Sequence, residues 1–145
     1  MKRHVIVAAG VATASLLALA TPAQAGPLRS CSAWYLDGLD GAAVGATGGG
    51  SEQPSSRTHL DNVNLRVTDT RADGHHVAVR LVTRRSDGTD HYWAWHSVYS
   101  GANTSDSWDT SATDSGGIRL VWQEVGVFEG DSKLGSCYTQ AYSGV

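Results

Sequence analysis

The sequence has little basic charge. It contains 11 Lys and Arg side chains against 14 Asp and Glu, which gives a net charge of −3 with histidine neutral. A surface that binds nucleic acid needs basic side chains to contact phosphates, and adhesion to anionic lipid needs them as well. The composition therefore argues against nucleic acid or a membrane surface as a partner.

Long apolar runs are also scarce, because only residues 5–20 form one. This run of 16 residues is shorter than the roughly 20 that span a bilayer. It follows the basic residues Lys2 and Arg3 and precedes Ala23-Gln24-Ala25, a pattern that signal peptidase recognises. The sequence predicts a signal peptide over residues 1–25 and a secreted, extracellular chain over 26–145, with no membrane segment after processing. Nine basic and fourteen acidic side chains then remain, a net charge of about −5.

Cysteine is rare, since Cys31 and Cys137 are the only two. Export places them in an oxidising compartment, where two cysteines most simply form one disulfide. They lie near the two ends of the exported chain and lack the Cys-x-x-Cys spacing of metal sites. The sequence predicts that they pair and so hold both chain ends, which are otherwise prone to fray.

Catalytic motifs are missing or incomplete. The chain has no Gly-x-Ser-x-Gly, phosphate loop or His-Glu-x-x-His. Residues 113–117 resemble the nucleophile segment of trypsin-like proteases, but Thr113 stands where those proteases have glycine, and no histidine motif supplies a base. Adjacent His75 and His76 point to opposite faces of a strand and cannot chelate a metal as a pair. We therefore predict no cofactor and no metal, and we favour a protein that is not an enzyme.

What the sequence does contain is a regular alternation of β-branched or aromatic runs with Gly, Asp, Ser and Asn clusters. This rhythm is typical of a β-sandwich or barrel. Strand candidates lie at residues 31–36, 60–68, 77–84, 91–98, 108–113, 118–128 and 133–142. The sequence predicts one all-β domain, an antiparallel sandwich of about seven strands that is Ig-like or jelly-roll-like. Glu124 is an exception within a strand, where a lone carboxylate is expected on the solvent-facing side.

Residues 41–57 form a Gly- and Ser-rich segment with almost no bulky apolar residue. Such composition is typical of flexible linkers. A loop of this length is unusual in a compact domain, and it is either functional or simply flexible. The sequence predicts a mobile loop here.

The run from Leu65 to Leu81, together with Trp93-Ala94-Trp95 and Gly135-Ser136-Cys137, is similar to small secreted proteins of actinomycetes. The resemblance covers about two thirds of the exported chain. It implies an exported β-rich fold, and it carries neither an activity nor functional residues onto this sequence.

The hairpin around Asp87-Gly88 decides which face the pair Trp93 and Trp95 occupies. A two-residue turn places Trp95 opposite Arg80, on the wetter face. A three-residue turn that includes Ser86 places Trp95 opposite Val79, in the core. One residue of register exchanges the faces. We favour the core register, which leaves Arg80 outside beside Tyr92 and His96.

Five tryptophans accompany a single phenylalanine, and exposed aromatic rings stack on sugars or anchor protein partners. The leading hypothesis is a secreted, non-catalytic protein that binds an extracellular glycan or protein. Its candidate surface is Arg80, Tyr92 and His96, joined by Trp93 and Trp95 in the other register. A secreted inhibitor or toxin-like effector is the alternative, since a disulfide that joins both chain ends and a long loop would suit such a protein. A small extracellular enzyme is less favoured. The sequence does not predict the oligomeric state.

Overall fold

The computed structural model describes residues 26–38 and 41–143, and this part of the chain contains ten strands and no helix. The strands are β1 (Arg29–Asp37), β2 (Gly41–Ser56), β3 (His59–Asp69), β4 (His76–Arg84), β5 (Asp90–Tyr92), β6 (His96–Val98), β7 (Ser105–Thr113), β8 (Leu120–Glu129), β9 (Ser132–Tyr138) and β10 (Tyr142–Ser143). The predicted signal peptide lies outside the described residues.

The strands form two antiparallel sheets. The first has the order β1-β2-β3-β7. The second has the order β10-β8-β4-β5, and in it β6 also pairs with β4 while β9 pairs with β8. The predicted all-β sandwich is therefore confirmed, with ten strands rather than seven.

The core lies between the two sheets and follows directly from side-chain alternation. In β3, Val63, Leu65 and Val67 are buried, whereas the residues between them are more exposed. In β4, Val77, Val79 and Leu81 face the same core from the other sheet. Successive residues of a strand point to opposite faces, so these apolar positions meet across the sandwich.

Cys31 in β1 and Cys137 in β9 form a disulfide, with their Cα atoms 6.0 Å apart. The predicted pairing is confirmed, and it joins the first sheet to the second.

A buried polar network lies nearby. Glu52 of β2 pairs with Arg29 and accepts a hydrogen bond of 2.8 Å from Gln123 of β8. Both Glu52 and Gln123 are fully buried, so this network is a second bridge between the sheets.

The segment that was expected to be a mobile loop is instead the long strand β2, which lies between β1 and β3. The prediction of a loop was wrong because its glycines fit tightly packed positions. A Cβ on Gly45 would lie 2.7 Å from the Tyr35 ring, and one on Gly50 would lie 1.9 Å from the backbone oxygen of Asn64. Strand β2 therefore requires glycine at these positions. The resulting Gly-rich composition resembles that of a flexible linker.

Two other predicted strands are each divided in the structure. Residues 91–98 become β5 and β6, and residues 133–142 become β9 and β10. Together with β2, these divisions account for the larger strand count. The first of them determines the geometry of the candidate site.

Candidate functional site

Trp93 and Trp95 face opposite sides of the second sheet. Val82 of β4 pairs with Tyr92, whereas Val79 pairs with His96. The two pairs are three residues apart along β4 but four residues apart along the segment that contains β5 and β6. One extra residue therefore lies between β5 and β6. Such a bulge reverses the alternation of side chains. The expectation that the two tryptophans share a face was wrong.

The favoured three-residue turn is confirmed for the part of the hairpin before the bulge. Trp93 donates a backbone hydrogen bond of 3.1 Å to Leu81 and packs against the core. Its indole Nε1 donates to Thr83 at 3.2 Å. Trp95, beyond the bulge, lies on the outer face of the second sheet, where it contacts Phe128 and Arg80.

Arg80 is held between two aromatic rings on this outer face. Its guanidinium carbon lies 4.4 Å from the Tyr92 ring centre and 4.3 Å from that of Trp95. Its Nε and Nη2 donate to one oxygen of Glu124 at 2.8 and 2.5 Å. Cation–π contacts and a charged hydrogen-bond partner together fix the guanidinium in place.

Glu124 is fully buried beneath these side chains, whereas the sequence favoured a solvent-facing position. Its second oxygen accepts hydrogen bonds from Lys133 Nζ at 2.6 Å and from Tyr138 Oη at 3.2 Å. Burial acts to raise the pKa of Glu124, but the hydrogen bonds from Lys133 and Arg80 outweigh it and lower the pKa below the ordinary 4.5. The carboxylate is therefore an ionised anchor for two cations.

A row of rings continues from Trp95 along the outer face. The Phe128 ring meets Trp95 edge-on at 5.1 Å between centres and stacks on His76 at 5.3 Å. His76 in turn stacks on Tyr99 at 4.5 Å. We call this set the aromatic row: Tyr92, Trp95, Phe128, His76 and Tyr99. The rings lie close to the sheet because Gly126 has no side chain; a Cβ there would lie 2.7 Å from the Phe128 ring.

An open depression of about 250 Å³ lies at the Tyr99 end of the aromatic row. Four rings of the row line it, all but that of Tyr92. Ala78 and Ser97, which pair across β4 and β6, form its floor. Asp131, in the turn between β8 and β9, lies at its rim. Tyr99 is 75% exposed, so its ring is accessible to a ligand.

The structure brings together only part of the predicted surface. Arg80 and Tyr92 lie side by side on the outer face, as the favoured register required. His96 does not join them, because the bulge turns it to the inner side, where its ring lies 5.0 Å from that of Trp108. Trp95 takes the place expected for His96. Phe128, Tyr99 and Asp131 were not predicted as neighbours of this surface. Phe128 and Asp131 come from a segment far along the chain, whereas Tyr99 directly follows β6, outside the predicted strand.

A second polar cluster surrounds Asp114, the second residue of the protease-like segment 113–117. Its carboxylate accepts hydrogen bonds from Arg85 Nε at 3.0 and 2.9 Å and contacts His91 Nδ1 at 2.7 Å. Burial acts to raise the pKa of Asp114, while the bonds from His91, Arg85 and the Gly116 backbone lower it to about 2. The carboxylate thus closes a turn by ordinary capping contacts.

Residues 26–38 and 41–143 contain no group of three or more His, Cys, Asp or Glu side chains suited to a metal ion. Within the same residues, no helix is long and apolar enough to cross a membrane. No family model, curated protein or solved structure matches this chain.

Proposed function

We propose that this protein is an exported, non-catalytic glycan-binding protein that holds a sugar in the depression beside the aromatic row. The observation that carries the proposal is the depression itself: an open space of about 250 Å³ with four ring side chains around it. The signal-like pattern of residues 1–25 and the disulfide support export, because disulfides persist in oxidising compartments.

Sugars suit this lining because a pyranose has both an apolar and a polar character. Its C–H groups pack against aromatic faces, and its hydroxyls need hydrogen-bond partners in place of water. Tyr99 and Trp95 supply aromatic surface, while Ser97 and Asp131 supply polar atoms. Binding sites commonly combine an apolar lining with a few polar groups in this way.

The chemistry of Glu124 favours binding over hydrolysis. Glycoside hydrolysis needs a carboxylic acid that can protonate the leaving oxygen, usually one with a raised pKa. The pKa of Glu124 is lowered instead, and both of its oxygens are occupied by Arg80, Lys133 and Tyr138. Glu124 therefore supports the outer face and is not proposed to act on a substrate.

The inhibitor alternative loses one of the two sequence features that suited it. That interpretation drew on a long exposed loop over residues 41–57, but this segment is mostly strand β2 in the interior of the first sheet. A central strand cannot enter a protease cleft without losing its pairing with the strands on both sides.

Retention on insoluble polysaccharides tests the proposal. Tyr99→Ala removes an exposed ring of the depression without opening the core, so we expect it to weaken binding about tenfold or more. The matched control is Trp34→Ala, because Trp34 is 57% exposed but lies on β1 of the first sheet. We expect this control to bind as the unmodified protein does.

Two outcomes would contradict the proposal. One is that no polysaccharide in a panel of β-glucans, chitin, chitosan, xylan and mannan retains the unmodified protein. The other is that Trp34→Ala abolishes retention while Tyr99→Ala preserves it, which would move the binding surface to the first sheet.

A further inference from the structure

Asp131 is the charged group at the rim of the depression, and the backbone fixes its position. Strand β8 ends at Glu129 and β9 begins at Ser132, so only Gly130 and Asp131 connect them. Gly130 has a φ of 54°, which glycine adopts readily in tight turns. The short connection keeps Asp131 in the lining of the depression, together with Phe128 and Tyr99.

The neighbouring charges on this face are already paired. Lys133 and Arg80 both bind Glu124, and the Glu129 carboxylate lies 2.6 Å from His75 Nδ1. Asp131 has no ion-pair partner within 4.0 Å in the part of the chain that the structure describes. Its charge is thus available to a ligand.

The two ends of the aromatic row differ in charge. Arg80 and Lys133 share the single carboxylate of Glu124, which leaves an excess of positive charge near Tyr92. The depression at the Tyr99 end has the free carboxylate of Asp131 instead. Aromatic faces carry negative electrostatic potential and also attract cations. Carboxylate and rings together therefore favour a cationic group in the depression.

We propose that the glycan bound here carries protonated amines, as a polymer of glucosamine does. The ammonium group would lie against the Asp131 carboxylate, and the sugar ring would pack against the rings of the depression. This inference rests on the proposed glycan binding and specifies its ligand class. An N-acetylated sugar has the same ring and no positive charge, so it provides a matched comparison.

Calorimetric titration with soluble oligomers of glucosamine and of N-acetylglucosamine, equal in length, tests the inference. We expect the full exported protein to bind the amine oligomer at least tenfold more tightly. Asp131→Asn keeps the size of the side chain and removes its charge, so it should abolish this preference and leave affinity for the acetylated oligomer unchanged. Asp131→Glu should retain the preference.

Asp106→Asn is the control for overall charge, because Asp106 is exposed on β7 of the first sheet. We expect this variant to keep the preference. A further comparison with oligolysine separates recognition of an amino sugar from simple cation binding, and we expect oligolysine to bind much more weakly.

Several results would overturn the inference. Equal affinity for both sugar oligomers would refute the role of the amine while leaving glycan binding intact. A preference that survives Asp131→Asn would refute the role of Asp131. Oligolysine binding as tight as that of the glucosamine oligomer would show a cation site without sugar recognition. If no glycan binds, the proposed function itself fails.

Discussion

The side chains of Trp93 and Trp95 perform different tasks although one residue separates them. Trp93 packs against the core and donates its indole hydrogen to Thr83. Trp95 covers Arg80 and meets the Phe128 ring on the outer face. One extra residue between β5 and β6 is sufficient for this division, because it reverses which side of the strand each residue faces.

Alanine variants of the two tryptophans should separate their roles. We expect Trp93→Ala to lower the free energy of unfolding by about 3–5 kcal/mol, because it leaves a cavity beside the core. Trp95→Ala should lower it by only about 1–2 kcal/mol, because stacking on a partly exposed face is lost. Urea denaturation followed by tryptophan fluorescence measures both values.

Polysaccharide retention completes the comparison. We expect retention to fall for Trp95→Ala and to persist for Trp93→Phe, a milder variant that keeps an aromatic ring against the core. Equal losses of stability for the two alanine variants would contradict the assigned faces. So would a Trp95→Ala variant that binds glycan as well as the unmodified protein.

The predictable part of the site depended on a single turn. Gly88, with a φ of 90°, supports the three-residue turn that the Ser86-Asp87-Gly88 sequence suggested, and this turn sets Tyr92 beside Arg80. Local sequence could not reveal the bulge. The bulge accompanies contacts of Trp95 with Arg80 and Phe128, which belong to other strands and are not neighbours of Trp95 in the sequence.

At the scale of elements, β2 shows how tertiary packing overrides intrinsic propensity. Glycine weakens a strand because it loses much conformational freedom on folding and contributes no side chain to packing. In β2 that absence permits close approach of neighbours on both sides of the strand. The seven strands expected from alternation all exist, at least in part, because each presents apolar side chains to a core. The strand that carries few such side chains gave no periodic signal.

Two glycine variants test this account of β2. In Gly50→Ala the new Cβ would lie 1.9 Å from the backbone oxygen of Asn64, and a paired backbone cannot move aside easily. We expect a loss of about 3 kcal/mol in the free energy of unfolding. Gly38→Ala is the control, because its Cβ would meet nothing within 4 Å, and it should change stability by less than about 0.5 kcal/mol. Equal stability of both variants would contradict the packing described for β2.

At the scale of the whole molecule, the two sheets are joined unevenly. The Cys31–Cys137 disulfide and the Arg29–Glu52–Gln123 network link β1 and β2 to β8 and β9. A space of about 100 Å³ lies elsewhere between the sheets, lined by residues that include Trp93 and His96. The disulfide could be predicted from export and from the count of cysteines. The network could not, because Glu52 lies within a segment that resembles a linker.

Removing the disulfide tests how much it constrains the unfolded chain. The two cysteines are 106 residues apart in sequence, and a loop of this size corresponds to roughly 4–5 kcal/mol in the chain-entropy model. We expect the double variant Cys31→Ala, Cys137→Ala to lose a comparable free energy of unfolding in urea. The native far-ultraviolet spectrum should persist, because the core and the Arg29–Glu52–Gln123 network still connect the sheets.

The slope of the urea transition provides a second readout for the same variant. An unfolded chain without the cross-link is more expanded and exposes more surface, so the slope should increase when the disulfide is removed. Reduced unmodified protein should match the double variant in both midpoint and slope, which controls for the alanine side chains. A midpoint that falls with an unchanged slope would locate the effect in the folded state, in the packing around Cys31 and Cys137. The constraint on the unfolded chain would then not be the source of stability.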